Sequence, residues 1–132
     1  MEVRGYDDTE AMLRAGINAG ITAIVTLGAP EFSQRVTTMQ IADIATNHRL
    51  PAISPFRRFS DAGGLMSYGL DQDHFGPRAG VMIGKILKGA RPGDLPIERP
   101  TKFDLVINLK TAKTLGLKLP AAILARADEV IE

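Results

Sequence analysis

The chain has 132 residues, 45% of them hydrophobic, a formal net charge of +1 at pH 7 and no cysteine. A chain of this length forms one domain with a buried core. The balanced charge offers no basic patch for DNA or RNA, and the lack of cysteine excludes disulfides, thiolate metal sites and cysteine nucleophiles. We expect no signal peptide in this chain and no membrane span, because the sequence has no apolar run of the required length.

Predicted strands and helices alternate from the start of the chain. Residues 2–4 predict a short strand, and Asp7 with Glu10 forms a capping box for a helix that ends at Gly20. The run ITAIVTL, residues 21–27, is β-branched and nearly all apolar. This composition predicts a central strand that is buried on both faces.

A second helix is predicted over residues 30–48. Its inner face, from the helical spacing of the apolar residues, should contain Phe32, Val36, Met39, Ala42 and Ala45. The run LPAIS, residues 50–54, predicts a third strand, residues 55–63 a loop, and GLMSY, residues 64–68, a fourth strand.

The second half of the chain continues the alternation. A helix should begin within residues 71–77, and the proline-rich residues 91–100 should form an extended connector. FDLVI predicts a fifth strand, Asn108 caps a short helix, and Pro120 opens a last helical turn or two. The expected fold is therefore α/β, with a doubly wound parallel sheet between two layers of helices.

Ligands of open parallel sheets bind outside the carboxyl ends of the strands. Three loops follow strand ends here, and they contain the candidate ligand-binding residues Gly28, Ala29, Pro30, Glu31, Phe56, Arg57, Arg58, Ser67, Tyr68 and Gly69. A helix N-terminus in the first loop offers free N–H groups to a carboxylate or phosphate. The alternatives that the residues leave open are tight turns for the glycines, solvated surface charges for the arginines and a core-capping role for Tyr68.

Motifs for catalysis and for metal binding are absent from the sequence. Neither His48 nor His74 has a carboxylate or a histidine at metal-ligand spacing. No G-x-S-x-G elbow, P-loop or G-x-G-x-x-G is present. We therefore predict that the chain is not an enzyme and that it uses no metal and no cofactor.

Three longer runs of sequence are more informative about the family of the chain than the motifs discussed so far. GGLMSYG (residues 63–69), ILKGARPGDLPIERPTKFDLVINLKTAKTLGL (86–117) and RADEVIE (126–132) resemble the C-terminal half of ABC-transporter substrate-binding proteins of the tryptophan/tyrosine-type group. The resemblance implies a type I periplasmic-binding fold, in which two doubly wound lobes close on a solute. Residues 1–132 would then be a single, incomplete C-terminal lobe, and residues 71–100 the crossover helix and connector that pack on the first lobe.

The resemblance also implies partners and a location. The solute would be a small organic molecule such as an amino acid, the protein partner an ABC permease, and the location periplasmic or membrane-anchored outside the cytoplasm. Two alternatives remain open at this point. One is the effector-binding domain of a transcriptional regulator with the same fold, and the other is a truncated, inactive lobe that self-associates as a homodimer or swapped oligomer.

Overall fold

The structure is a computed structural model that describes residues 6–29, 32, 34–70, 72–99 and 101–132. The strand predicted at residues 2–4 lies outside these residues. The chain divides into two compact units. The first contains the residues up to Gly69 and those from Asp104 onward, and the second contains Leu70–Phe103.

Helices and strands alternate along the described residues, which confirms the predicted α/β class. The helices are α1 (Tyr6–Asn18), α2 (Arg35–Asn47), α3 (Arg57–Asp61), α4 (Gln72–Leu87), α5 (Leu109–Thr114) and α6 (Ala121–Leu124), with a 3-10 turn at Pro92–Asp94. The strands are β1 (Ile24–Val25), β2 (Ala52–Ser54), β3 (Met66–Leu70), β4 (Phe103–Asn108) and β5 (Glu129–Ile131). Helix α3 and strand β5 were not predicted.

The five strands form one sheet in the order β1-β2-β3-β4-β5. The pairs β1–β2, β2–β3 and β4–β5 are parallel. The N–H of Asn108, the last residue of β4, donates to the carbonyl of Leu65, just before β3, at 2.9 Å. A bond between the start of one strand and the end of the other fits two strands that run in opposite directions. The sheet is therefore mostly parallel, with one reversal between β3 and β4.

The main core lies on one side of strands β1 and β2. It contains Leu13, Ile24, Ile41, Ala42, Ala45, Ala52 and Phe59. In β1 and the two residues after it, Ile24 and Thr26 are buried, whereas Val25 and Leu27 are each 70% exposed. The prediction that this strand is buried on both faces was wrong. Alternate residues of a strand point to opposite sides of the sheet, and the helices among the described residues cover only the side of Ile24 and Thr26.

Helix α2 buries only part of the predicted face: Ala42 and Ala45 are buried and Phe32 packs against the core, but two other predicted residues are exposed. Val36 is 60% exposed and Met39 44% exposed. The buried residues of the helix are Thr37, Thr38, Ile41, Ala42 and Ala45. A buried hydroxyl needs a hydrogen-bond partner, and Thr38 Oγ1 donates to the carbonyls of Phe32 and Gln34 at 3.0 and 2.9 Å. Because the chain itself supplies these acceptors, the polar residue Thr38 can lie in the core. A prediction from hydrophobicity alone places Met39 there instead.

The glycine pair before β3 is explained by the helix that precedes it. Gly63 has a φ of +98°, a left-handed conformation that ends α3. Gly64 lies against the ring of Phe59, which is 1% exposed. A Cβ at residue 64 would come within 2.2 Å of Phe59 Cε1. The first glycine is therefore required by backbone conformation and the second by packing.

Asn108 caps helix α5, as predicted. Its Oδ1 accepts a hydrogen bond from the N–H of Thr111 at 3.1 Å. Its Nδ2 donates to the carbonyl of Ser60 at 3.1 Å, and Thr111 Oγ1 donates to the carbonyl of Gly63 at 2.7 Å. The helix start is thus bonded to the end of α3 and to the turn that follows it.

The second unit consists of α4 and the connector. Pro77 lies inside α4. Proline is favoured in the first turn of a helix, but α4 begins earlier, at Gln72. The helix is bonded to the connector by Arg78, whose Nε donates to Glu98 Oε2 at 2.7 Å. Several apolar side chains are exposed, among them Val81, Ile83, Leu87 and Ile97. Among the described residues, no helix is long and apolar enough to cross a membrane.

We expect Gly64→Ala to destabilise the chain by about 1–3 kcal/mol, because the added methyl group overpacks the buried Phe59 ring. Urea unfolding followed by circular dichroism measures this change. Gly80→Ala is the control, since a Cβ there would meet no described atom within 4 Å beyond its neighbours and its own helix backbone, and alanine in a helix interior is favoured over glycine. Equal stability of Gly64→Ala and the wild type would contradict the packing explanation.

Candidate functional site

The carboxyl ends of β1, β2 and β3 lie together along one side of the sheet, which we call the strand-end edge. The N–H of Thr26 donates to the carbonyl of Ile53 at 3.0 Å, so the loop that starts at Gly28 leaves the sheet beside the loop that follows Ser54. Residue 69 lies against this second loop, and a Cβ there would be 1.9 Å from the carbonyl oxygen of Pro55. The structure therefore brings Gly28, Phe56 and Gly69, from three separate predicted loops, to the same edge.

The predicted site residues at this edge differ in exposure. Tyr68 is 54% exposed. Phe56 is half-buried, and its N–H donates to Ser54 Oγ at 3.3 Å. Ser67 is only 1% exposed, and its hydroxyl has no hydrogen-bond partner among the described residues. Tyr68 is therefore available to a solute while Ser67 points into the protein. Pro30 and Glu31 lie outside the described residues, and Ala29 is half-buried.

Arg57 is part of an ion pair that the sequence did not predict. Its Nη2 lies 2.6 Å from Glu129 Oε1, and its Nε lies 3.7 Å from Asp61 Oδ2. The hydrogen bond with Glu129 raises the pKa of Arg57 above its ordinary value and, together with the positive charge, lowers the pKa of Glu129. The negative charges of Asp61 and Asp104 also raise the pKa of Arg57. The strand-end edge thus contains both positively and negatively charged side chains.

The reversal of the sheet brings the acidic residues to this edge. Because β4 and β5 run against the first three strands, their first residues lie where β2 ends. The start of β5 is held beside β4 by Asp128, whose Oδ2 accepts from the N–H of Leu105 at 2.8 Å and whose N–H donates to the Leu105 carbonyl at 2.9 Å. Glu129 follows directly. The β-branched pair Val130 and Ile131 is the feature of the sequence that favours this strand.

Arg58 lies in a different place from Arg57. It lines a groove between α2 and α3 together with Arg35, Thr38, Met39, Asp61 and Ala62. Successive residues of a helix point about 100° apart, so the two arginines of α3 diverge. Among the described residues, no group of three histidine, aspartate or glutamate side chains is placed to hold a metal ion.

Residues 15–131 match the family described as ABC transporter substrate binding protein. The chain therefore belongs to this family, and the resemblance found in the sequence is confirmed.

Known proteins of similar sequence and structure support the same conclusion. A tyrosine-binding protein of Clostridioides difficile (strain R20291) is 25% identical over 111 residues, which are 83% of this chain and 32% of the relative. The crystal structure of an ABC domain in complex with L-Trp from Streptococcus pneumonia has a TM-score of 0.87 at 25% identity, and the match covers 99% of this chain and 43% of that chain. A conserved domain protein from Vibrio cholerae O1 biovar El Tor matches with a TM-score of 0.84 at 26% identity, over 94% of this chain and 41% of that chain. The chain spans less than half the length of each of these proteins.

We expect Gly69→Ala to displace the loop after β2, because the clashing atom, the Pro55 carbonyl oxygen, belongs to the backbone and cannot rotate away. The cost should be about 1–3 kcal/mol, as for other overpacked sites, with large shifts of the Phe56 and Arg57 amide signals in NMR spectra. Gly28→Ala is the matched control at the same edge, since apart from its two chain neighbours no described atom lies within 4 Å of a Cβ there. Unchanged amide signals in Gly69→Ala would contradict the close contact.

The Arg57–Glu129 pair predicts a pH dependence of stability. In the folded chain the pKa of Glu129 lies below its ordinary value of 4.5. A carboxyl of this kind stabilises the fold above its unfolded pKa, and the contribution is lost as the pH falls through the folded value. Glu129→Gln should therefore be less stable than the wild type near neutral pH, and the difference should shrink below pH 4.5. Thermal unfolding over a pH series measures it, and parallel profiles for both proteins would refute the prediction.

Proposed function

We propose that this chain is part of the solute-binding component of an ABC uptake transporter and that it binds an amino acid at the strand-end edge. The observation that carries the proposal is the convergence of the strand-end loops at Gly28, Phe56 and Tyr68 in a member of this family. Relatives described as a tyrosine-binding protein and as a complex with L-Trp support an aromatic amino acid as the solute.

The proposed contacts follow from the chemistry of the edge. The N–H groups that the sequence predicts in the loop from Gly28 would bind the carboxylate of the solute. A guanidinium adds a charged hydrogen bond, and Arg57 is better situated for it than Arg58, which lines the groove between α2 and α3.

The apolar part of the solute contacts aromatic side chains. Tyr68 offers an exposed ring, and Phe56 offers a half-buried one. Ser67 and Gly69 complete the proposed site through the backbone, because the Ser67 side chain is buried and Gly69 has none.

We further propose that the chain forms one lobe of a longer protein, with residues 71–100 as a crossover helix and connector that pack on the other lobe. Two observations support this proposal. Leu70–Phe103 forms a compact unit of its own, and its helix exposes the apolar residues Val81, Ile83 and Leu87. The whole protein would act without catalysis, outside the cytoplasm, and deliver its solute to a permease.

Titration with L-tryptophan tests the proposed site. The chain contains no tryptophan, so indole emission reports the ligand alone. Because one lobe offers only part of a cleft, we expect a Kd of about 1 mM or weaker, a blue shift of the indole emission and NMR shifts of the amides of Ala29, Phe56 and Tyr68. L-tyrosine, followed by NMR, should shift the same amides.

Matched variants locate the binding. Tyr68→Ala should weaken it, and Ile97→Ala, which removes an apolar side chain that is 96% exposed in the second unit, should not. The proposal would be refuted for this chain if neither amino acid changed the spectra at millimolar concentration, or if the shifted amides lay away from the strand-end edge.

A further inference from the structure

The Arg57–Glu129 pair lies at the proposed site and is open to solvent. The side chain of Arg57 is 50% exposed and that of Glu129 45% exposed. Their bonded atoms, Nη2 and Oε1, are 2.6 Å apart. A ligand can therefore approach both charged groups from solution without separating them.

Carboxylates lie close to the Arg57 guanidinium, Glu129 at 2.6 Å and Asp61 at 3.7 Å. Besides Glu129, the charges of Asp61 and Asp104 act on Arg57. The Glu129 carboxylate beside the guanidinium attracts a cationic group and repels an anion that carries no cation. A ligand with only a carboxylate is poorly matched to this surface.

An α-amino acid carries both charges on neighbouring atoms. If its ammonium group donates to Glu129 and its carboxylate accepts from Arg57, the four charged groups form a ring in which signs alternate. Each charged group in such a ring is attracted to both of its neighbours. The two contacts between ligand and protein are charge-assisted hydrogen bonds.

We propose that Glu129 and Arg57 together select zwitterionic amino acids, with Glu129 binding the α-ammonium group and Arg57 the α-carboxylate. This assignment rests on the proposed function and adds to it a specificity-determining residue, Glu129, on a strand outside the three loops of the predicted site. It also predicts which related molecules the site rejects.

A purely structural role for the pair makes a different prediction. An exposed ion pair contributes little to stability, and its removal would change the affinities of all solutes alike or of none. Discrimination between solutes that differ in a single charged group separates the two roles.

The experiment compares three indole ligands by the emission and NMR titrations described above. L-tryptophan has both charges, 3-indolepropionate lacks the ammonium group, and tryptamine lacks the carboxylate. The wild type should bind L-tryptophan about tenfold more tightly than 3-indolepropionate, as expected for one hydrogen bond to a charged group. Glu129→Gln should lose most of this advantage and bind 3-indolepropionate at least as well as the wild type does.

Two variants serve as controls. Glu129→Asp keeps the carboxylate and should retain the preference for L-tryptophan. Glu10→Gln removes an equivalent exposed carboxylate, which is bonded to Arg14 on α1 at 2.6 Å, and should bind all three ligands like the wild type. Circular dichroism of each variant confirms that it is folded.

The outcomes separate this inference from the proposed function. If L-tryptophan binds at the strand-end edge and Glu129→Gln keeps the full preference over 3-indolepropionate, the role of Glu129 is refuted and the proposed function stands. If no indole ligand binds to the wild type, both are refuted. If Glu129→Gln alone loses the preference, both are supported.

Discussion

The arrangement of the first unit depends on the hydrogen bonds of Asn108. This side chain is 5% exposed, and it bonds to the carbonyl of Ser60 in α3 and to the N–H of Thr111 in α5, while its backbone N–H bonds to Leu65. Buried polar groups with all partners satisfied specify one arrangement, because any other leaves them unpaired. Asn108 thus fixes where α3 ends. Since α3 begins at Arg57, the direction of this short helix also determines where the Arg57 guanidinium lies.

The reversal between β3 and β4 has a consequence for chemistry at the edge. In a wholly parallel sheet, only carboxyl ends of strands, with their exposed loops and nearby helix N-termini, meet at the ligand edge. Here the amino ends of β4 and β5 are added, and they bring Asp104 and Glu129 with them. A site that would otherwise be suited to anions therefore gains acidic groups. The charge of the site therefore depends on the direction of the strands as much as on the residue composition.

Local signals in the sequence were enough to predict most strands and several helix ends. The cap at Asn108, the helix end at Gly20 and the β-branched strands are determined by neighbours in the chain, and the structure agrees with them. Features that depend on distant residues were missed. Thr38 is buried because Phe32 and Gln34 accept its hydrogen bonds, Val25 is exposed because nothing among the described residues covers it, and Glu129 reaches Arg57 across 72 positions of sequence. Of the site, the converging loops were predictable and the paired charge was not.

An edge of one sheet is an open surface, and this limits how a solute can be recognised there. Binding pockets usually enclose most of the surface of a small ligand, and a surface that contacts one side of a solute buries far less apolar area. Shape then contributes little to selectivity. Charged groups at fixed positions do not need enclosure to distinguish a zwitterion from an acid or an amine, although exposure to water weakens them. Enclosure by further protein would lower the local dielectric and strengthen the same contacts. A pair such as Arg57 and Glu129, already assembled at the open edge, would therefore contribute most to selectivity once the solute is covered.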